Sequence, residues 1–157
     1  MTMLQLRRHG WLLVLFAPSI LSACGLFDKG PPKTNLASIA VIAEDGANQN
    51  SASALDLVFV YDPAVAEFLP KTGPAWFESK ASLLSGSPRA LDVVSLQIPP
   101  SFALDADAIS LPKRYKDAIR VMAYANYIAE DGRYPINLTE LRRAVIRLKP
   151  AAIEYGE

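Results

Sequence analysis

Apolar positions along the chain fall into short runs with strand-like alternation, separated by proline, glycine and asparagine. Residues 36–43 form a first such run, rich in β-branched types. A polar stretch follows at 44–53, and then Leu55, Leu57, Phe59 and Tyr61 share one face of a second strand. The pair reads as a hairpin or an inter-sheet connection carrying a long exposed loop. Asp62-Pro63 ends the second strand, and 63–69 suits one or two helical turns because proline fits a first helical position. A second helix is predicted from Pro74 to Leu84, where Trp76, Phe77, Leu83 and Leu84 recur at helical spacing. Residues 91–98 read as the third strand, 108–111 as a short edge strand closed by Pro112, 119–128 as the longest strand, and 143–149 as the last. The alanine- and aspartate-rich stretch up to Asp107 reads as loop and 150–157 as a tail.

Strands and helices do not alternate regularly, which argues against a doubly wound parallel sheet. The pattern predicts a mainly β domain, an antiparallel β-sandwich over 36–157 with a small helical insertion at about 63–85.

The N-terminus has a different grammar. Arg7, Arg8 and His9 precede an apolar run at 11–17, broken by Pro18 and resumed at Ile20-Leu21. A bilayer-spanning helix needs ~20 apolar residues, so the run suits a secretory signal over 1–23. Leu21-Ser22-Ala23-Cys24 ends it: a leucine, two small residues and a cysteine, the pattern of a lipoprotein cleavage site. Cys24 is therefore expected to carry a diacylglyceryl group on its thiol and an acyl chain on its amine, and no other cofactor is expected. One acyl chain binds membranes marginally at ~0.8 kcal/mol per buried methylene, whereas two or three make a lasting anchor. Gly25 stands where aspartate would favour inner-membrane retention, so the periplasmic face of the outer membrane is the expected location. Residues 24–35, with Gly30-Pro31-Pro32-Lys33, read as a tether.

Loss of the signal removes two arginines and no acids, turning 16 basic and 16 acidic groups into 14 against 16. So balanced a surface gives no reason to expect nucleic-acid binding. His9 leaves with the signal and Cys24 is consumed by lipid, so the mature chain holds no histidine and no free thiol. That excludes a serine–histidine–aspartate triad, and it removes the usual nitrogen and sulfur ligands of zinc. Serine–lysine pairs at Ser79-Lys80 or Ser110 and Lys113 lack a nucleophile elbow, so no catalytic residues are assigned. Asp105 and Asp107 lack the glycine and distant glutamate of a calcium loop, and no metal site is assigned. Trp76-Phe77 reads as core. Tyr124 and Tyr127, on opposite faces of one predicted strand, leave at least one tyrosine open for a protein interface. Lys113-Arg114-Tyr115-Lys116 reads as a solvated basic loop.

Several segments together resemble a known family. The cleavage pattern and tether, the run at 36–43, the Asp-Gly-containing loop, the tyrosine-ended strand at 55–61, Trp76-Phe77, and Val121-Met122-Ala123-Tyr124-Ala125-Asn126-Tyr127 occur in the order found in the outer-membrane lipoprotein of type VI secretion, the TssJ family. The chain departs from that pattern at Asp62-Pro63, and its late strand lacks the usual arginine and tryptophan. The resemblance implies a transthyretin-like sandwich whose first inter-strand loop contacts the periplasmic part of the inner-membrane subunit TssM. On this chain the matching loop is 44–53, with Asp45, Gly46, Asn48, Gln49 and Asn50 as contact candidates. The role implied is scaffolding without catalysis. A pilotin or assembly chaperone, using a groove or sheet edge instead, is the alternative of the same localisation; a small-ligand carrier would need an apolar pocket in place of a filled core around Leu57, Phe59, Val94 and Val121.

Overall fold

The computed structural model describes residues 30–157; the signal, Cys24 and the first part of the tether lie outside the described residues. Eight strands form two four-stranded sheets. One sheet has the order β4-β1-β7-β8, from β1 (Ser38–Ala43), β4 (Phe102–Leu104), β7 (Arg143–Leu148) and β8 (Ile153–Gly156). The other has the order β3-β2-β5-β6, from β2 (Ser53–Val60), β3 (Leu91–Ile98), β5 (Arg120–Ala125) and β6 (Ile136–Asn137). Neighbours are antiparallel except β1 and β7, which run parallel with Ile39 opposite Ala144 and Ala43 opposite Leu148.

The inner faces meet in one core. Ile39, Val41, Ala144, Ile146 and Leu148 of the first sheet face Leu55, Leu57, Phe59, Val121 and Ala123 of the second. Val94 and Leu96 close it from the side of β3, so the centre is filled with side chains. Strand β2 is unusual in being buried on both faces. Its odd positions enter the inter-sheet core, while Val58 and Val60 turn outward into a second cluster beneath the helical insertion.

That insertion joins β2 to β3 and consists of helices Pro63–Glu67 and Gly73–Gly86. Both begin as their sequences dictate. Asp62 accepts a hydrogen bond from the Ala64 N–H at 2.8 Å and Thr72 one from Ala75 at 3.3 Å, and each helix has a proline in its first turn. The longer helix lays Trp76, Phe77, Leu83 and Leu84 over the outer face of the second sheet. Trp76 is fully buried and stacks on Tyr124, ring centres 4.9 Å apart.

Several sequence expectations need correction. The longest strands are β2 and β3, of eight residues each, whereas β5 stops at Ala125 after six. The edge strand lies at Phe102–Leu104, within the stretch read as loop, and 108–111 is not a strand. The predicted tail pairs with β7 as β8. Tyr124 and Tyr127 are both buried: the strand ends between them and the chain turns Tyr127 back into the inter-sheet core, while helices cover Tyr124. Thr34 and Asn35, read as tether, are bonded into the domain through Thr34 N–H to Ala118 O (2.7 Å) and Asn35 N–H to Thr139 O (2.9 Å).

Candidate functional site

The sandwich has two ends of different character. The chain enters at one, where Thr34 meets Ala118 and Thr139. The other gathers the end of β1, the start of β2, the end of β5 and the turn between β7 and β8. The two are separated by the length of β2, eight residues or about 25 Å. The loop at 44–53 occupies the second end.

Its backbone is bound at both flanks. Glu44 N–H donates to Leu148 O (2.9 Å), Asn48 N–H to Lys149 O (3.1 Å) and Gln49 N–H to Pro150 O (3.1 Å). Between these ties the chain makes a left-handed turn: φ is 72° at Gly46, 51° at Asn48, 55° at Gln49 and 61° at Asn50. Three consecutive non-glycine residues in this region are rare, since the Cβ of an L-residue meets the following carbonyl there. Asparagine tolerates it best, which accounts for Asn48 and Asn50 but not for Gln49.

The buried side chain of Asn48 secures the turn. Its Oδ1 accepts from the Ile128 N–H at 2.8 Å, and its Nδ2 donates to Asn126 O at 3.3 Å. Asn48 thus closes the loop against the segment that follows β5 and presents no side chain to a partner. Asp45 accepts from the Ser101 hydroxyl, and Ser101, itself at φ 57°, donates its N–H to Glu44 O at 3.2 Å. Of the five candidates, Asp45, Gln49 and Asn50 are exposed, Gly46 is half-buried and supplies the bend, and Asn48 is structural.

Neighbouring elements brace the same end. Tyr127 donates its hydroxyl to Lys149 O at 2.6 Å, and burial pushes this phenol above the usual tyrosine range. Arg133 donates to the carbonyls of Tyr127 (3.1 Å) and Ile128 (2.6 Å), while Gly132 lies so close to the Tyr127 ring that no side chain would fit. Phe102, 43 % exposed, and Ile128, 47 % exposed, are apolar side chains open to solvent at this end. Sequence reasoning missed both, because Phe102 fell in a stretch read as loop and Ile128 in a run read as the end of the longest strand.

The other sequence candidates are not assembled into sites. Ser79 donates to the Ala75 carbonyl of its own helix (2.7 Å), and Lys80 is engaged by Asp56 (2.8 Å). In the basic loop, Arg114 lies 3.8 Å over the Tyr61 ring and bonds Asp92 at 3.1 Å, an arrangement that closes the entry end. A groove of about 400 Å³ runs over Tyr61, Ser87, Pro88 and Arg89, on the outside of the sandwich.

No protein-family model matches the chain, and no curated protein matches it in sequence. Solved structures do. The T6SS lipoprotein TssJ1 from Pseudomonas aeruginosa superposes with a TM-score of 0.50 at 14 % identity, over 80 % of this chain and 96 % of that one. A chain of a type VI membrane complex superposes with a TM-score of 0.50 at 17 % identity, over 80 % and 98 %. At such identities the likeness is one of backbone architecture, and it extends over nearly the whole of each neighbour. The resemblance read from the sequence therefore holds at the level of the fold: two sheets with a helical insertion, as in the type VI secretion lipoprotein TssJ1.

Proposed function

We propose that the chain is a membrane-tethered docking component of a type VI-like secretion envelope complex. Acyl chains on Cys24 hold it to the periplasmic face of the outer membrane. The loop at 44–53 holds the periplasmic domain of an inner-membrane subunit of the TssM kind. No bond is made or broken; the protein works by fixing a position. The observation that carries this reading is the left-handed turn at Asn48–Asn50, held rigid at the end of the sandwich remote from the point where the tether enters. A surface already set in its bound shape loses little freedom on docking. The likeness in fold to TssJ1 supports the same assignment.

The test keeps Asn48 and alters only the exposed side chains. Gln49→Arg combined with Asn50→Arg should leave the domain folded and abolish co-purification of the inner-membrane subunit from detergent-solubilised envelopes. Undiminished recovery of that subunit would overturn the assignment of the loop, and loss through variants on a sheet edge instead would favour the pilotin class.

A further inference from the structure

At the entry end, Pro31 and Pro32 line a surface groove together with Pro63, Ala66 and Arg120. The groove continues past Arg120 to Leu69, Lys71 and Met122. Beside it stands Phe68, at 79 % the most exposed large apolar side chain among the described residues. Pro31, Pro32, Pro63 and Ala64 are exposed as well, so several apolar side chains are open to solvent around this groove. Such a grouping marks a surface that meets something.

Chain length says what it meets. From Cys24 to Gly30 there are six residue steps, which span about 20 Å when fully extended. If Cys24 sits at the headgroup boundary, Pro31, one step beyond Gly30, lies within about 2.5 nm of the bilayer, and Phe68 directly follows Glu67, which lines the same groove as Pro31 and Pro32. Charge around the groove is mixed: Lys71 is exposed, Lys33 is paired with Asp117, and the exposed Glu67 lines both parts of the groove, so chain length and apolar exposure, and not charge, are what point to the bilayer. We infer that the face formed by Pro31, Pro32, Pro63 and Phe68 rests on the membrane interface, with the Phe68 ring entering the headgroup region as a second contact beside the lipid anchor. The inference rests on lipidation of Cys24. Its consequence is orientation: with this face down, the loop at 44–53 points away from the bilayer.

The test uses the lipidated mature protein in vesicles of phosphatidylethanolamine and phosphatidylglycerol with brominated acyl chains. Trp76, fully buried against Tyr124, is the one tryptophan left after loss of the signal and sets the background. In a Phe68→Trp variant the added fluorescence should be quenched by the bromolipids. In a Tyr155→Trp variant, placed on β8 at the edge of the opposite sheet, it should not be. Flotation with the vesicles reports the anchor separately. Flotation with quenching at position 68 alone supports the inference. Flotation with no quenching at 68, or with equal quenching at 68 and 155, overturns it. Failure to float removes the anchor and the inference with it. Shielding of position 68 from an aqueous quencher without bromolipid quenching means that protein covers this face, which also overturns it.

Discussion

The indole N–H of Trp76 donates to the carboxylate of Asp56 at 2.8 Å, and both side chains are closed to solvent. Lys80, one helical turn further on, places its Nζ 2.8 Å from the same carboxylate oxygen and donates to the Ser95 hydroxyl at 2.8 Å. Strand alternation turns Asp56 outward from β2, so one buried charge joins the helical insertion to two strands of the sheet. A buried carboxylate is tolerable only when paired and hydrogen-bonded, as this one is. Asp56→Ala leaves an indole N–H and a half-buried ammonium without their partner. It should lower stability by about 2–4 kcal/mol in urea denaturation. Lys80→Met keeps the stem and the indole bond but leaves the buried carboxylate without a counter-charge, so it should cost about as much. A near-neutral Lys80→Met would show that the ammonium is not what makes the buried carboxylate tolerable.

Gln49 is held at φ 55° with no side-chain hydrogen bond described that compensates it. Glycine occupies that region without a Cβ clash, at the expense of a more mobile unfolded chain. Gln49→Gly should therefore raise stability by about 0.5 kcal/mol, whereas Asn48→Ala should lower it by about 2 kcal/mol through loss of the bonds to Ile128 and Asn126. A destabilised Gln49→Gly would mean that the turn is not strained at this position.

The first residue of the longer helix touches the sheet directly. A methyl group at Gly73 would collide with the Ala125 carbonyl, and the Gly73 N–H donates to Arg133 O at 2.7 Å. Both partners are backbone and neither has room to yield. Gly73→Ala should cost about 3 kcal/mol or more, with the loss read in thermal unfolding. Gly86, with open space around it, is the matched control and should tolerate alanine.

Alkaline pH should unfold the domain through its tyrosines. Burial raises the Tyr124 phenol to about 12, against an ordinary value of 10, and burial together with the Asp92 carboxylate raises Tyr61 as well. The folded state keeps protons that the unfolded chain releases from pH 10 upward. Stability is therefore full below pH 10 and falls as pH rises toward 12, Tyr124 accounting for about 2 kcal/mol of the loss. Tyr124→Phe gives up the bond to Pro70 O, worth about 1 kcal/mol at neutral pH, and should flatten the alkaline decline. An unchanged slope above pH 10 in that variant would assign the decline elsewhere.

Elements with a local signal were legible in the sequence. The alternation at 55–61 and the prolines at 63 and 74 act over a few residues, and β2 and both helices appear where those signals lie. What escaped was decided by distant partners. β8 exists because Leu148 and Ile153 pair across a tight turn, although Glu154 and Gly156 carry little strand preference of their own. The burial of both Tyr124 and Tyr127 depends on a strand end that no local pattern marks. At the candidate site the composition of 44–53 pointed to a loop. Its left-handed path is imposed by the carbonyls of Leu148, Lys149 and Pro150, a hundred residues away in sequence.

The parallel pairing of β1 with β7 sets an order of events. Ile39 finds Ala144 as its neighbour, so the first strand to leave the ribosome waits for one of the last before its backbone is satisfied on that side. Until then an apolar ribbon containing Ile39 and Val41 has an open edge, the kind of surface that invites wrong pairing. A chain cut short before Arg143 would never close the sheet, so the fold inspects its own completeness before any partner is met.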